Sequence, residues 1–321
     1  MWGAGGCCRT SSPNSLLEVV LVSAPIAVGL DGSPESMAGA RWAARDALRR
    51  NLPVRLVHVW NWHPHPGETS DGLEAQRHWA QRIPREAAAE LARQYPALDI
   101  VIDQVGGQPA AVLPVVAEEA ELLVLGSPRI KGISGFLIGS ASLATVACAE
   151  RPVVLVRAGE SAEDEHQRDK AGLPSTDTAY RDVVLGLDLA RPCDELLEFA
   201  FDAALQRPAG LRVIHCWKLP SAYKYRDATV GSTPESALAA QQAHALTEML
   251  RPWRDKYPAV EVMAESVPGR PAEHLVTASA DTSLLVVGRR SSHSPIGRHI
   301  GPITLAVLHH SSAPIAVVPH A

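Results

Sequence analysis

The chain has 321 residues, of which 46% are hydrophobic and 20% are charged, a composition typical of globular domains with sizeable cores. This length exceeds that of a typical single domain and favours two domains. The formal net charge of −5 gives no electrostatic basis for binding nucleic acid or an anionic membrane. No apolar run approaches the roughly 20 residues that a membrane-spanning helix needs.

The N-terminal residues 1–24 lack a clear pattern, and we predict a disordered tail there. The five cysteines suit neither a zinc site nor a C-x-x-C motif, because their count is odd and their spacing is wrong. We therefore expect reduced thiols and a cytoplasmic protein. His63 and His65 have no third candidate ligand nearby, so we predict no metal site. The cysteines are Cys7, Cys8, Cys148, Cys193 and Cys216.

From residue 25 onward, short apolar segments alternate with helical segments. The predicted strands are Pro25–Leu30, Val54–Trp60, Leu98–Val105, Leu122–Leu125 and Pro152–Val156. The predicted helices are Ser36–Arg50, a segment ending near Tyr95, Gln108–Glu119 and Ser140–Ala149. Pro84 is expected to break or kink the second helix. This alternation predicts right-handed βαβ units and a parallel sheet that is covered on both faces.

The same landmarks recur in the second part of the chain. Asp31 and His58 have equivalents 157 positions later (188 − 31). Gly126, Gly139 and Pro152 have equivalents 162 positions later (288 − 126). A constant offset that changes once indicates two homologous copies. We predict one domain over 25–157 (the first half), a charged linker over 158–180, and a second domain over 181–321 (the second half). The matched pairs are Asp31–Asp188, His58–His215, Gly126–Gly288, Gly139–Gly301 and Pro152–Pro314.

A glycine-rich loop follows the fourth predicted strand, over Gly126–Ser140, and carries Arg129 and Lys131. Glycines permit close approach of the backbone to a ligand, and the free N–H groups and dipole of the following helix attract anions. The loop therefore predicts a phosphate site.

Two of these segments resemble the universal stress protein family. They are Asp31-Gly32-Ser33, after the first strand, and the pattern Gly126-x2-Arg129-x9-Gly139-Ser140. The chain looks like the tandem form of actinobacterial type. The resemblance implies an α/β fold of two tandem, doubly wound, five-stranded parallel-sheet domains, which are Rossmann-like and similar to adenine nucleotide α-hydrolases. The ligand that the resemblance implies is ATP, with Mg²⁺ as an optional companion.

The resemblance also implies where ATP lies, at the carboxyl ends of the strands. The residues that it places around ATP are Gly29, Asp31, Val59, Leu125, Gly126, Arg129, Gly139, Ser140 and Ala141. Asp31 and the backbone near Gly29 face the adenosine, Val59 meets the adenine through its backbone, and residues 139–141 offer N–H groups to phosphate.

The chain departs from the family pattern in both halves. Arg129 replaces the second motif glycine, where it either grips phosphate or blocks the backbone from approaching it. In the second half, Pro302 follows Gly301 and has neither an N–H nor a hydroxyl. We therefore predict a degenerate second site, with Arg289, Arg290 and Arg298 as partial compensation.

These features predict an ATP-binding, regulatory protein of the stress response that is not an enzyme. His58 and His215 lie inside apolar strands and are interpreted as core histidines, so no general base is evident and any ATP hydrolysis should be slow. The main alternative is a scaffold of the same fold that binds no nucleotide. An enzyme of the α-hydrolase type is disfavoured because Asp31-Gly32-Ser33 does not match its pyrophosphate loop.

The family resemblance also predicts how the halves associate. The last strands, Pro152–Val156 and Pro314–Val318, resemble strands that pair one domain with another. We expect this pairing within the chain, and it leaves a further homodimer and an unidentified protein partner open.

Overall fold

The structure, a computed structural model, describes residues 24–60, 70–128, 138–218, 234–291 and 299–321. Strands and helices alternate through both halves, so the predicted fold class is confirmed. The predicted tail and the histidines at positions 63 and 65 fall outside the described residues. Among those that are described, no helix has the length and apolar character needed to cross a membrane.

The first half contains five strands and four helices among its described residues. They are β1 (Ile26–Leu30), α1 (Pro34–Arg50), β2 (Val54–Trp60), α2 (Ser70–Gln94), β3 (Ile100–Gly106), α3 (Pro109–Glu118), β4 (Leu122–Ser127), α4 (Ser140–Cys148) and β5 (Val153–Arg157). Each predicted strand of this half is present, with ends that differ by two residues at most. Short local signals define the helix ends: Ser33 caps α1 by accepting a hydrogen bond from the Ser36 N–H at 3.1 Å, and Asn51 ends the helix in the left-handed conformation.

The second half repeats this order. Its elements are β6 (Val183–Leu187), α5 (Asp194–Gln206), β7 (Leu211–Trp217), α6 (Pro234–Lys256), β8 (Val262–Pro268), α7 (Pro271–Ala278), β9 (Leu284–Arg290), α8 (Pro302–His310) and β10 (Ile315–His320). One difference matters for the site. Three residues, 31–33, separate β1 from α1, whereas six residues, 188–193, separate β6 from α5.

Pro84 was predicted to break or kink α2, and the prediction of a break is wrong, because Pro84 lies inside the helix and does not end it. A proline in a helix removes one backbone hydrogen bond, and flanking tertiary contacts can compensate for that loss. Ala80 precedes the proline and is buried, and Ala87 and Leu91 follow it and are buried as well. Packing on both sides of Pro84 therefore keeps the helix continuous.

All ten strands form one sheet, in the order β3-β2-β1-β4-β5-β10-β9-β6-β7-β8. Neighbouring strands are parallel except at the centre, where β5 and β10 are antiparallel and Leu155 lies opposite Ile315. The last strands thus pair the halves within the chain, as predicted. Because this pairing reverses the strand direction, the carboxyl ends of the two half-sheets lie at opposite edges of the whole sheet.

Each face of the sheet carries a core that runs through both halves. One core is formed with α1, α2, α5 and α6, and it includes Trp42, Leu91 and Phe201, all of them fully buried. The other core is formed with α3, α4, α7 and α8, and it includes Val146 and Leu308. The parallel strands are therefore covered on both sides, which explains why they are continuously apolar.

A buried group of charged residues links α1 to α5 across the first core. Asp46 is fully buried, and its carboxylate accepts hydrogen bonds from Arg49 at 3.1 Å and Arg50 at 2.8 Å. The guanidinium of Arg207, at the end of α5, lies 2.8 Å from the same carboxylate and 5.3 Å from the centre of the Trp42 ring. Burial alone would raise the pKa of Asp46, but the three guanidinium groups outweigh it and hold this pKa well below its usual range.

The predicted linker packs against the same group. Glu165 lies in a short 3-10 helix, Glu163–Glu165, and is only 1% exposed. Its carboxylate accepts hydrogen bonds from Arg45 at 2.6 Å and from Arg49 at 3.1 Å. Arg49 also donates to the Tyr180 hydroxyl at 3.2 Å. The charged residues of the linker therefore include an anchor that fixes it to α1.

We expect Asp46→Asn to lower the free energy of unfolding by about 3 kcal/mol, because it leaves buried guanidinium groups without their counter-charge. Urea unfolding at neutral pH measures this loss. The matched control is Asp281→Asn, because Asp281 is 89% exposed and this change should leave stability nearly unaltered. Equal effects of the two substitutions would contradict the role of the buried charges.

The lowered pKa of Asp46 also predicts an acid dependence. Its stabilising contribution is fully present above the unfolded pKa of about 3.9 and is lost as the pH falls from there towards the lower folded pKa. Stability measured across this range should therefore decline more steeply in the wild-type protein than in Asp46→Asn. A decline of equal slope in both would show that Asp46 does not contribute to it.

Glu160, a second carboxyl of the linker, should make stability depend on pH in the opposite sense to Asp46, so that stability falls as the pH rises. Burial, together with the negative charges of Asp164 and Glu165, raises the pKa of Glu160 to about 8. The stability from its protonated form is lost as the pH rises from about 4.5 to about 8. We expect Glu160→Gln to raise the apparent Tm at pH 8, as measured by calorimetry. Glu163→Gln in the same linker is the control and should not do so.

Candidate functional site

The strand order of the first half changes direction beside β1, which lies between β2 and β4. In doubly wound sheets, ligands bind in the crevice that opens at the carboxyl ends of the strands at such a point. Gly29 lies opposite Leu125 on β4 and opposite Val57 on β2. The structure thus brings Gly29, Val59 and Leu125 to one edge of the sheet, as the family resemblance implied.

Asp31 follows β1 at the mouth of this crevice and is exposed. Its carboxylate accepts hydrogen bonds from the Ser33 N–H at 2.9 Å and the Ser33 hydroxyl at 2.5 Å. Partial burial would raise its pKa, but the hydrogen bonds from Ser33 and Ser36 outweigh that effect and lower it. The carboxylate of Asp31 is therefore oriented by Ser33 and favoured in its ionised form.

The two strand histidines hold the backbone beside each crevice. The His58 Nδ1 donates to the Leu30 carbonyl at 2.8 Å, and the His215 Nδ1 donates to the Leu187 carbonyl at 3.1 Å. Both side chains are buried. This geometry agrees with the interpretation of both residues as hydrogen-bonded core histidines.

The two motif glycines of the first half serve different purposes. A Cβ atom on Gly126 would lie 2.2 Å from the carbonyl carbon of Glu35, so this glycine lets the start of α1 pack on β4. A Cβ atom on Gly139 would meet no described atom within 4 Å, and its φ of −64° suits any residue. Gly126 is therefore required by the fold, whereas Gly139 leaves space in front of α4 that no described residue fills.

The N-terminus of α4 faces this space. Gly139 is the N-cap residue, and none of the side chains that the structure describes caps the helix. Gly139 and Ser140 are exposed, and Ala141 is half-buried. Uncapped N–H groups and the helix dipole attract an anion to this position. The predicted contributions of Arg129 and Lys131 fall on residues 129–137, outside the described part of the chain. Across the part that is described, no cluster of three or more His, Cys, Asp or Glu side chains suits a metal ion.

The equivalent crevice of the second half contains a cavity of about 540 Å³. It opens between β6, β9, α5 and α8, and Pro302 occupies the first position of α8. Gly301 has the same backbone conformation as Gly139, with a φ of −61°. The residues lining the cavity include Gly186, Leu187, Asp188, Arg191, Ile214, Leu275, Val287, Gly288, Arg290, His299, Pro302, Thr304 and His320.

The arginines that were expected to compensate for Pro302 behave differently from one another. Arg290 lines the cavity. Arg289 is 1% exposed and donates a hydrogen bond to the Ala149 carbonyl in the first half, so its predicted role in the second site is wrong. The two differ because alternate residues of a strand point to opposite faces. Arg298 is outside the described residues.

His320 is a cavity residue that the sequence analysis missed. In the 162-residue offset it corresponds to Ala158 (320 − 162), so a comparison extended to the end of the repeat would have found it. Its Nε2 lies 2.8 Å from where a Cβ atom on Gly288 would be. The side chain therefore fills space beside the equivalent of Gly126.

Comparisons with known proteins agree with this architecture. A profile described as the Universal stress protein family matches residues 24–157 and 179–319. Universal stress protein Rv2005c of Mycobacterium tuberculosis is 32% identical over 305 residues, which cover 91% of this chain and 96% of that protein. Universal stress protein Rv2623 of the same species is 29% identical over 324 residues, which cover 96% of this chain and 98% of that protein.

A solved structure that covers nearly the whole chain shows the same fold. A universal stress protein from Archaeoglobus fulgidus matches with a TM-score of 0.65 and 16% identity, over 92% of this chain and 98% of that one. A universal stress protein in complex with cAMP matches only 43% of this chain, and 99% of its own, with a TM-score of 0.33 and 22% identity; the cAMP is that protein's ligand.

The two motif glycines generate a matched pair of substitutions. We expect Gly126→Ala to lower the free energy of unfolding by about 2 kcal/mol or more, because its methyl group would enter the backbone of α1. Gly139→Ala should change it by less than about 0.5 kcal/mol, because its methyl group enters open space. Denaturant unfolding measures both. Similar losses in the two variants would contradict the distinction.

Proposed function

Because the chain belongs to the universal stress protein family, we propose that its first half binds ATP in the crevice between β1 and β4. The observation that carries this proposal is the exposed N-terminus of α4, which no described side chain caps and where no described atom lies within 4 Å of a Cβ placed on Gly139. A helix start of this kind attracts phosphate.

The nucleoside would occupy the strand side of the crevice. Asp31 is held by Ser33 so that its carboxylate remains ionised and able to accept from ribose hydroxyls. The backbone of Val59 is proposed to meet the adenine, and Leu125 and Gly126 would line the nucleotide. This arrangement joins a polar acceptor and an apolar wall, the combination typical of small-molecule sites.

The phosphates would lie at α4, where residues 139–141 supply N–H groups and Ser140 supplies a hydroxyl. We propose Arg129 as a further phosphate contact, and Mg²⁺ as an optional companion of the nucleotide. Asp188 stands at the equivalent of Asp31, but Pro302 removes both donors that Ser140 offers. We therefore propose that the second half does not bind ATP.

We propose a regulatory rather than catalytic role, in the cytoplasm. Asp31 has a lowered pKa, which makes its carboxylate a weak base, and the hydrogen bonds from Ser33 occupy one of its oxygens. Binding of ATP would instead favour one arrangement of the protein and so alter its association with a partner. A homodimer of whole chains remains a prediction of the family resemblance.

The decisive test imitates the second half within the first. Ser140→Pro removes the N–H and the hydroxyl of residue 140, and the fold should tolerate it because Pro302 already occupies the same position of α8. We expect this variant to bind ATP at least about tenfold more weakly, as measured by isothermal titration calorimetry, because charge-assisted hydrogen bonds are lost.

Matched control variants separate the contributions of the Ser140 hydroxyl, of Asp31 and of the second half to ATP binding. Ser140→Ala removes the hydroxyl alone and should weaken ATP binding less than Ser140→Pro does. Asp31→Asn should weaken it, whereas Asp188→Asn should leave both affinity and stoichiometry unchanged. If the wild-type protein shows no saturable heat at millimolar ATP, the scaffold alternative replaces this proposal. Loss of half the sites in Asp188→Asn would mean that the second half binds ATP as well.

A further inference from the structure

The cavity of the second half has an apolar floor. Leu187, Ile214, Leu275 and Val287 line it, and each of these side chains is at most 5% exposed. Its volume of about 540 Å³ falls in the range of roughly 300–1,000 Å³ that is usual for small-molecule sites. The size and lining suit a compact organic ligand with an apolar body.

The mouth of the cavity is basic. Arg191, Arg290 and His299 line it and are exposed, and His320 is half-buried. Asp188 is the one acidic residue among the described lining residues, and its carboxylate accepts a hydrogen bond from the Ala190 N–H at 3.1 Å. Two arginines and two histidines thus line the mouth with Asp188, and the carboxylate of Glu195 outside the lining interacts with His320. This balance favours an anionic group on the ligand.

Among the described residues, the same cavity has fewer polar donors for a chain of phosphates than the crevice of the first half. Pro302 provides no N–H at the start of α8. The Thr304 hydroxyl donates to the Gly288 carbonyl at 2.8 Å, so its hydrogen is used within the protein. The side chains at the mouth can pair with one compact anion, whereas the described start of α8 offers a triphosphate fewer donors than the start of α4 does, because Pro302 stands where α4 has Ser140.

The shape of the cavity also differs from that of the first crevice. In the first half, the start of α1 packs directly on Gly126. In the second half, the longer loop 188–193 precedes α5, and the imidazole of His320 lies beside Gly288 instead. Side chains around a cavity in the second half therefore take the place of the backbone contact that α1 makes with Gly126 in the first half. The second crevice therefore remains open as a cavity, with a lining that differs from that of the first crevice.

We propose that this cavity binds an apolar molecule that ends in a single carboxylate, such as a medium-chain or aromatic acid. The apolar body packs on Leu187, Ile214 and Leu275, and the carboxylate lies at the mouth beside Arg290. An arginine pairs with a carboxylate through two parallel hydrogen bonds, which suits a one-anion ligand. This inference does not depend on ATP binding in the first half.

The test titrates the full chain with decanoate, below its micellar concentration, by isothermal titration calorimetry. We expect saturable binding with one site per chain. Arg290→Glu should weaken it at least about tenfold, because a charge-assisted pair becomes a repulsion. Arg290 is exposed, so the substitution should leave the fold intact, and thermal unfolding checks this. The matched control is Arg251→Glu, because Arg251 is 70% exposed on α6 and does not line the cavity.

Two further titrations test the chemical class of the ligand. Decanol has the same apolar chain without the charge, and we expect it to bind at least about tenfold more weakly than decanoate. Saturating ATP should leave the affinity for decanoate unchanged. The proposal is overturned by absence of decanoate binding, by equal binding in Arg290→Glu and Arg251→Glu, by equal affinity for decanol, or by competition from ATP. None of these outcomes bears on whether the first half binds ATP.

Discussion

The antiparallel pairing of β5 with β10 is the contact on which the rest of the architecture depends. Each half-sheet would otherwise end in an apolar strand with unpaired backbone groups, which is an aggregation hazard. Pairing these strands makes one ten-stranded sheet and lets a continuous core form on each face. It also reverses the second half, so the two crevices open at opposite edges and are free to diverge in their chemistry.

The buried charges between α1 and α5 add specificity to that pairing. Apolar packing alone permits helices to slide against one another, whereas Asp46 must meet Arg207 to avoid an uncompensated buried charge. Glu165 extends the same network to the linker through Arg45 and Arg49. The connection between the halves is therefore held in place by electrostatic contacts as well as by the covalent chain.

The fold could be predicted largely from the sequence, because its signals are local and repeated. Strand lengths, helix caps and the recurring positions of Asp31, His58, Gly126 and Pro152 were sufficient for the fold class, whereas the pairing of the last strands was predicted from the family resemblance. Pro84 shows the limit of such signals, since its effect depends on whether the helix on either side of it packs on the sheet. The burial of Glu165 similarly depends on α1, which is more than 100 residues away.

The candidate site was predictable in outline only. The order of the strands brings Gly29, Val59 and Leu125 together, and the motif places Ser140 at a helix start. The sequence could not distinguish the purposes of Gly126 and Gly139, because that difference arises from how closely α1 approaches β4. The direction of Arg289 and the position of His320 likewise depend on tertiary packing and not on spacing along the chain.

The hydrogen bond from Arg289 to Ala149 bears on how such a tandem protein diverges after duplication. Ala149 ends α4, whose other end is the proposed anion site of the first half. One helix of the first half is therefore completed by an arginine of the second. A substitution of Arg289 would therefore disturb the first half, although the residue lies on a strand of the second half. Neither half is structurally independent of the other, even though their candidate sites open at opposite edges of the sheet.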